Sequence, residues 1–149
     1  MKKLGGFLRK EGYVFVKLRM LKSGHYRIKG SINGVKAAFI LDTGASATVI
    51  DTNQVEKFGL GEIVKSEDEA AGLGGIAMDK FEIKDIKVGL GGFETETMQL
   101  NLVDLSHVNT AFKGFKMRPV DGIIGADILK TYNAVIDYKV DKLYLKNSI

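Results

Sequence analysis

The chain has 149 residues, a length that suits one domain with one hydrophobic core. It contains no cysteine, which excludes disulfides, thiolate metal sites and cysteine nucleophiles. The net charge of +4 is modest and the basic residues are spread along the chain, which favours a solvated surface over a nucleic-acid-binding face.

Alternating apolar and polar residues predict strands in the first third of the chain. Residues 13–20 and 26–32 form the first two, and the pair Asn33-Gly34 predicts a tight hairpin turn after them. The third strand, residues 35–41, is strongly apolar, which indicates burial on both of its faces.

The remaining segments are short and separated by glycine-containing turns. Residues 52–58 predict a short helix with Asp51 or Thr52 as its cap and Gly59 at its end. We expect hairpins from residues 63–69 with 76–83, from 86–90 with 94–103, and from 134–138 with 142–145. A second short helix is predicted at residues 126–131, whereas residues 105–118 have no clean period and allow one helical turn. Many short strands and few helices predict a single-domain, mainly β protein with a closed or nearly closed barrel.

The sharpest chemical signal is the run Leu41-Asp42-Thr43-Gly44-Ala45, where an apolar strand leads into a carboxylate, a hydroxyl and a glycine. The strand would fix Asp42, the Gly44 N–H could hydrogen-bond its carboxylate, and Thr43 could brace the loop through its hydroxyl. Taken alone, the same tripeptide is also an ordinary turn after a strand.

Two further sequence elements indicate a function only in combination with this motif. Ile123-Ile124-Gly125 places two apolar residues before a glycine and a short helix, and alone it would be a buried strand with a turn. A glycine-rich hairpin tip comprises Gly72, Leu73, Gly74, Gly75 and Ile76, and alone it would be a flexible loop.

In this order and at this spacing, the three elements resemble the retropepsin-like aspartic proteases, the retroviral proteases and their cellular and bacterial relatives. The resemblance spans about residues 26–145 and implies an acid-protease barrel with a flap hairpin and one or two short helices. It implies that Asp42 is catalytic, that Thr43, Gly44, Ala45, Ile124 and Gly125 support the active site, and that the hairpin tip binds substrate. Residues 1–24 would be an N-terminal extension, a strand joined to the barrel, and residues 25–149 the protease domain.

The resemblance also implies a homodimer, because family members of this length carry Asp-Thr-Gly once and build the active site from two copies. The activity implied is endopeptidase cleavage of extended polypeptides, with one aspartate from each subunit activating a water molecule and with no metal or other cofactor. Thr43 would bridge the two subunits beneath the carboxylates.

The chain departs from the retroviral pattern in three places. It has the N-terminal extension, an apparent insertion at residues 105–118, and Ala126 where retroviral enzymes place an arginine. The dimer interface and the brace around the active site must therefore differ from theirs.

Other interpretations of the same residues are open. Gly72-x-Gly74-x-x-Ala77 formally fits a dinucleotide fingerprint, but that mechanism needs a strand before it and a helix after it. His25 and His107 are isolated. Asp121, Asp127 and Asp137 are further carboxylates, of which Asp121 and Asp127 flank the second motif and could support the site. A catalytically silent retropepsin-fold module for peptide binding or dimerisation, and a small-ligand carrier barrel, are the alternative functions.

The sequence also favours a cytoplasmic location. No run of about 18 apolar residues is present, so no transmembrane helix and no membrane partner are expected. Residues 1–9 hold no apolar stretch long enough for a signal peptide. The expected partners are a polypeptide substrate and a second copy of the chain, without nucleic acid.

Overall fold

The computed structural model describes residues 3–71 and 77–147, and within them the chain is mainly β, as predicted. The strands are β1 (Val14–Lys17), β2 (Arg19–Met20), β3 (Tyr26–Ile32), β4 (Val35–Leu41), β5 (Val49–Asp51), β6 (Val64–Ala71), β7 (Ala77–Ile86), β8 (Val88–Leu90), β9 (Phe93–Glu94), β10 (Met98–Val103), β11 (Gly122–Ile124), β12 (Val135–Asp137) and β13 (Lys142–Leu145). The helices are α1 (Leu4–Lys10), α2 (Ser106–Gly114) and α3 (Ala126–Thr131), and Thr52–Gln54 forms a 3₁₀ turn.

The strands form two sheets. The larger one runs in the order β6-β7-β10-β5-β11-β4-β3-β8-β9, with β2 also pairing with β3, and the smaller one runs β1-β13-β12. The predicted mainly β, single-domain class is confirmed. The larger sheet is not closed into a barrel, because its path begins at β6 and ends at β9 without a pairing between these two strands in the described residues. At one end the chain turns back on β8, because Thr95 both donates its N–H to Val88 and accepts the Val88 N–H on its hydroxyl.

The hairpin of β3 and β4 sets the register at the site. Asn33 and Gly34 have φ values of 47° and 82°, which both central residues of this tight turn require. The pairing then runs without a break from Ile32 opposite Val35 to Tyr26 opposite Leu41. The turn therefore fixes where β4 ends, one residue before Asp42.

Strand β4 is buried on both faces, as its apolar sequence predicts. Phe39 and Leu41 point into the main core, while Ile40 on the opposite face packs with Phe112 and Val120 in a second, smaller core. Helix α2 covers this second core. The strand that leads to Asp42 is thus clamped between two apolar clusters.

Residues 3–71 and 77–147 contain three α-helices where one or two were predicted. Helix α3 lies at residues 126–131, as predicted, but α1 and the full length of α2 were not anticipated. Helix α2 buries only Phe112, with Val108 partly buried beside it, so its apolar stripe is too narrow to give a clear period. The helix predicted at residues 52–58 is instead the 3₁₀ turn, and Asp51 caps it by accepting the Asn53 N–H.

Two predicted strands are divided. Residues 13–20 form β1 and β2 because Leu18 leaves the strand to bury its side chain and donate its N–H to the Asp141 carbonyl. Residues 94–103 likewise divide into β9, which pairs with β8 across Gly91-Gly92, and β10, which pairs with β7 and β5. Within the described residues, no helix is long and apolar enough to cross a membrane.

Candidate active site

Asp42 stands where strand β4 ends. Its backbone N–H donates to the Ile124 carbonyl at 3.0 Å, one residue beyond the pairing of Leu41 with Ile124. Strand β11 is itself hydrogen-bonded on both edges, to β4 and to β5. The backbone at Asp42 is therefore held by central strands of the sheet, the rigid support that a reacting side chain requires.

The Asp42 side chain is exposed and oriented by one backbone group. Its Oδ1 accepts the Gly44 N–H at 2.9 Å, the hydrogen bond that the motif predicts. The Ala45 N–H donates to the Asp42 carbonyl at 3.1 Å and closes the turn. The Gly44 N–H is the one hydrogen-bond partner of this carboxylate among the described residues, so Oδ2 faces solvent with its acceptor capacity unused.

Thr43 does not brace the turn within the chain. Its side chain is exposed, and in the described ranges its hydroxyl makes no hydrogen bond. The role predicted for it inside the loop is taken by a different threonine, Thr48, which the sequence analysis did not single out.

Thr48 links the Asp42 loop to helix α3 and is 1% exposed. Its hydroxyl donates to Asp127 Oδ1 at 2.7 Å and accepts the Gly125 N–H at 3.0 Å. Its backbone N–H lies 3.0 Å from both Asp127 carboxylate oxygens. Every polar atom of Thr48 that faces Asp127 has a hydrogen-bond partner, so its burial carries no penalty for unpaired polar groups and the contact is a rigid brace.

Position 125 requires a glycine because the backbone of the Asp42 loop passes close to it. A Cβ placed there would come within 2.7 Å of the Ala45 carbonyl oxygen and 2.8 Å of the Ala47 carbonyl carbon. The neighbouring Ala126 N–H donates to that same Ala45 oxygen at 2.7 Å. Ala45, Ile124 and Gly125, predicted from two separate motifs, are thus brought together with Asp42 by direct contacts.

Two more carboxylates are buried behind the site. Asp121, 7% exposed, accepts the Ala38 N–H at 2.8 Å and forms an ion pair with Lys57 Nζ at 2.9 Å. This pair ties the start of β11 to β4 and to the segment after β5. Asp121 therefore supports the strands that hold Asp42 and lies apart from the exposed carboxylate itself.

Asp51 joins three segments and was expected only as a helix cap. It is 2% exposed, and its Oδ1 accepts the N–H and the Nδ2–H of Asn53 and the N–H of Leu105. Asn109 of α2 approaches Oδ2 at 3.5 Å and bonds the Val120 backbone through both of its side-chain polar atoms. The network anchors α2 over the second core.

The remaining predicted residues divide into those that can be placed and those that cannot. Gly72, Leu73, Gly74, Gly75 and Ile76 lie outside the described residues, but β6 and β7 pair on either side of them. A strand, β7, therefore follows the glycine cluster, and this excludes the dinucleotide-binding interpretation, which needs a helix there.

Within the described ranges, His25, His107 and Asp137 make no hydrogen bond with the residues of the Asp42 turn. His25 packs edge-on against Phe112, with ring centroids 5.9 Å apart, and its Nδ1 lies 2.8 Å from the Ser23 hydroxyl. Asp137 accepts the Lys139 N–H. Across residues 3–71 and 77–147, no cluster of three or more His, Asp or Glu side chains is arranged to hold a metal ion.

Comparison with known proteins decides the family. The sequence profile described as "Aspartyl protease" matches residues 28–128, more than half of the chain, and this range contains Asp42 and Ile123-Ile124-Gly125. The chain belongs to the aspartyl protease family. Among curated protein sequences, none matches the chain significantly.

Solved structures share its fold. A retropepsin-like aspartic protease from Rickettsia conorii superposes with a TM-score of 0.58 at 19% identity, covering 91% of each chain. The retroviral protease-like domain of Ddi1 from Leishmania major gives a TM-score of 0.55 at 19% identity over 90% of each chain. The EIAV protease, complexed with the inhibitor HBY-793, gives 0.52 at 22% identity over 70% of this chain and 84% of its own. The fold of the chain is therefore retropepsin-like.

Proposed function

We propose that the protein is an aspartic endopeptidase that hydrolyses peptide bonds in extended polypeptides as a homodimer. Asp42 is the catalytic residue of each subunit. The observation that carries the proposal is an exposed carboxylate, oriented by one backbone N–H, at the end of a strand that is buried on both faces.

The need for a second copy follows from the number of motifs. Asp-Thr-Gly occurs once in the sequence, at residues 42–44. Across the described ranges, Asp42 makes no hydrogen bond with another carboxyl group. A second chain placed on a two-fold axis would supply the missing carboxyl, and the free Thr43 hydroxyl would meet its counterpart there.

Chemistry at such a pair rests on a shared proton. Two carboxyl groups at hydrogen-bonding distance cannot both ionise easily, as aspartic proteases in general illustrate. The ionised Asp42 takes a proton from a water held between the two groups, and the resulting hydroxide attacks the carbonyl carbon of the scissile peptide. The protonated Asp42 hydrogen-bonds the carbonyl oxygen, which stabilises the charge that develops on it.

Substrate would bind in an extended form. The glycine-rich residues 72–76 lie in the sequence between the paired strands β6 and β7, and backbone hydrogen bonds from such a hairpin can add a peptide as a further strand. Closure of the two hairpins over the peptide would exclude water from the reacting groups.

The test is cleavage of an unfolded protein between about pH 3 and about pH 7, the range in which a carboxyl pair changes protonation. Asp42→Asn should abolish cleavage while its circular dichroism spectrum and unfolding transition match those of the wild type. Asp85→Asn is the matched control, because Asp85 is exposed and its φ of 61° suits asparagine equally well. Peptide binding without cleavage, unchanged in Asp42→Asn, would instead support the catalytically silent module.

A further inference from the structure

One cleft of about 480 Å³ is strongly cationic. Strand β2 and the residues after it form one wall of the cleft, together with Arg27 of β3. Residues 115–118, which follow helix α2, form the other wall. Five of its nine lining residues are basic and none is acidic. They define the cationic cleft: Arg19, Lys22, Arg27, Lys116 and Arg118.

These charges are not neutralised by the chain. Within the described ranges, none of the five residues forms an ion pair. Arg27 donates instead to two neutral carbonyls, those of Arg118 at 2.9 Å and Pro119 at 3.0 Å. Burial lowers the pKa of Arg27, and the nearby charges of Arg118 and Arg19 lower it further, against an opposing effect of Asp121. The cleft therefore presents a positive potential to solvent.

The cleft is also lined by apolar side chains. Phe115 is 68% exposed and Met20 is 47% exposed, and Leu21 and Met117 line the cleft with them. A simple anion would use the charges and leave this apolar surface in water. A polypeptide segment that carries both acidic and apolar side chains matches both features.

The register places Arg27, one lining residue of the cleft, close to Asp42 along the sheet. Arg27 lies opposite Ile40 in the pairing of β3 with β4, and directly opposed residues share a face of the sheet. Ile40 precedes Asp42 by two residues, so the alternation of side chains carries the same face on to Asp42, about 7 Å further along the strand.

The second wall of the cleft leads to the same point. Arg118 is followed by the segment that ends in β11, and the carbonyl of Ile124 at the end of β11 accepts the Asp42 N–H. One wall therefore pairs through β3 with the strand that ends at the carboxylate, and the other leads along the chain into β11.

We propose that the cationic cleft binds acidic residues of the polypeptide substrate and makes the protein prefer sequences with glutamate or aspartate near the scissile bond. At about 3.3 Å per residue of extended chain, the acidic residues would lie roughly two to four positions from that bond. This inference rests on the proposed endopeptidase function and adds a substrate class to it.

The direct test compares two peptide substrates that differ only in glutamate or glutamine at those flanking positions. The wild type should cleave the acidic peptide with a higher kcat/KM, mainly through a lower KM. In the double variant Arg19→Gln/Lys116→Gln, the acidic-to-neutral ratio of kcat/KM should fall by about two- to fivefold for each charge removed. Added salt should reduce the wild-type ratio in the same direction.

The matched control is Lys36→Gln/Lys84→Gln. Both lysines are exposed and neither lines the cleft. The control removes two positive charges, the same change in net charge as in the cleft variant. This control should keep the wild-type preference. Equal cleavage of the two peptides by the wild type, or the same loss of preference in both double variants, would overturn the cleft assignment while leaving the endopeptidase function intact.

A binding measurement separates failure of the cleft from failure of catalysis. Fluorescence anisotropy with labelled acidic and neutral peptides, on the Asp42→Asn background, should show tighter binding of the acidic peptide, and the cleft variant should remove that difference. This result supports the cleft even if no peptide is cleaved. Equal binding of the two peptides, or tighter binding of a single-stranded oligonucleotide of the same charge, contradicts it.

Discussion

Thr48 and Asp127 contact each other through three hydrogen bonds, from the Thr48 hydroxyl to Oδ1 and from its backbone N–H to both carboxylate oxygens. The two residues are far apart in the sequence, one after the Asp42 turn and the other in helix α3. Their contact holds the turn against the helix.

Thr48→Val should lower the free energy of unfolding by about 1–3 kcal/mol. The substitution keeps the shape of the side chain but leaves the Gly125 N–H and one Asp127 oxygen without the hydroxyl. Urea denaturation followed by circular dichroism measures the change. Thr110→Val, at an exposed site on α2, is the control and should remain within about 0.5 kcal/mol of the wild type. Equal effects of the two variants would contradict the brace.

Gly125→Ala should destabilise the protein by about 1–3 kcal/mol, because the added methyl group meets backbone atoms of Ala45 and Ala47 that cannot easily move. Thermal unfolding of the two alanine variants Gly125→Ala and Gly114→Ala makes the comparison. A Cβ at Gly114 would meet nothing within 4 Å, and alanine favours a helix, so that variant should be neutral or slightly stabilised. A Gly125→Ala protein as stable as the wild type would show that the close approach is not rigid.

Mixing wild-type protein with an excess of Asp42→Asn should reduce the activity per wild-type chain. If the active unit is a homodimer with one aspartate from each copy, mixed dimers hold a single ionisable Asp42 and are inactive. Titrating the variant into a fixed amount of wild type and measuring peptide cleavage gives the curve. Activity that stays constant at every ratio would show that one chain suffices.

Sedimentation velocity over a range of concentrations should accompany this mixing experiment. Activity per chain should rise with concentration as the dimer fraction rises, since dimerisation is governed by mass action. A strict monomer with constant specific activity would contradict the two-chain site.

The unfolding free energy of Asp104→Asn should depend on pH less steeply than that of the wild type in the acid range. The Asp104 carboxylate accepts bonds from the Ser106 hydroxyl and N–H and from Asn53, and these lower its pKa. A lowered folded-state pKa means that the stabilisation is fully present above the unfolded value of about 3.9 and is lost as pH falls through the folded value.

Urea titrations at several pH values give the difference in unfolding free energy between Asp104→Asn and the wild type. That difference should be largest above about pH 5 and should shrink toward zero in acid. A difference that is constant across pH would show that the Asp104 charge contributes nothing.

The sequence predicted the parts of the site that depend on local patterns. The apolar run ending at Leu41 predicted a buried strand, and Asn33-Gly34 predicted the hairpin turn, because both signals lie within a few residues. The hydrogen bond from Gly44 to Asp42 spans two residues and was predicted for the same reason. The catalytic roles of these residues stay predictions that the experiments above test.

Long-range contacts could not be predicted in this way. Thr48 with Asp127 and Lys57 with Asp121 join residues more than sixty positions apart, and nothing local to either partner indicates the other. The position of Asp127 beside the second motif indicated that it could support the site, whereas no feature of the sequence indicated a role for Thr48. The full length of helix α2 was not predicted either, because its fixing contact, from Asn109 to the Val120 backbone, is made outside the helix.

Because β4 is buried on both faces, the position of Asp42 does not depend on the exposed residues that line the cationic cleft. Phe39 and Leu41 hold the strand from the main core, and Ile40 meets α2 on the other side. Residues 115–118, between α2 and β11, are mostly exposed. If the proposed function holds, substitutions there would retune which peptides are accepted without moving the Asp42 carboxylate, so selectivity and reactivity would be free to diverge independently in descendants of this chain.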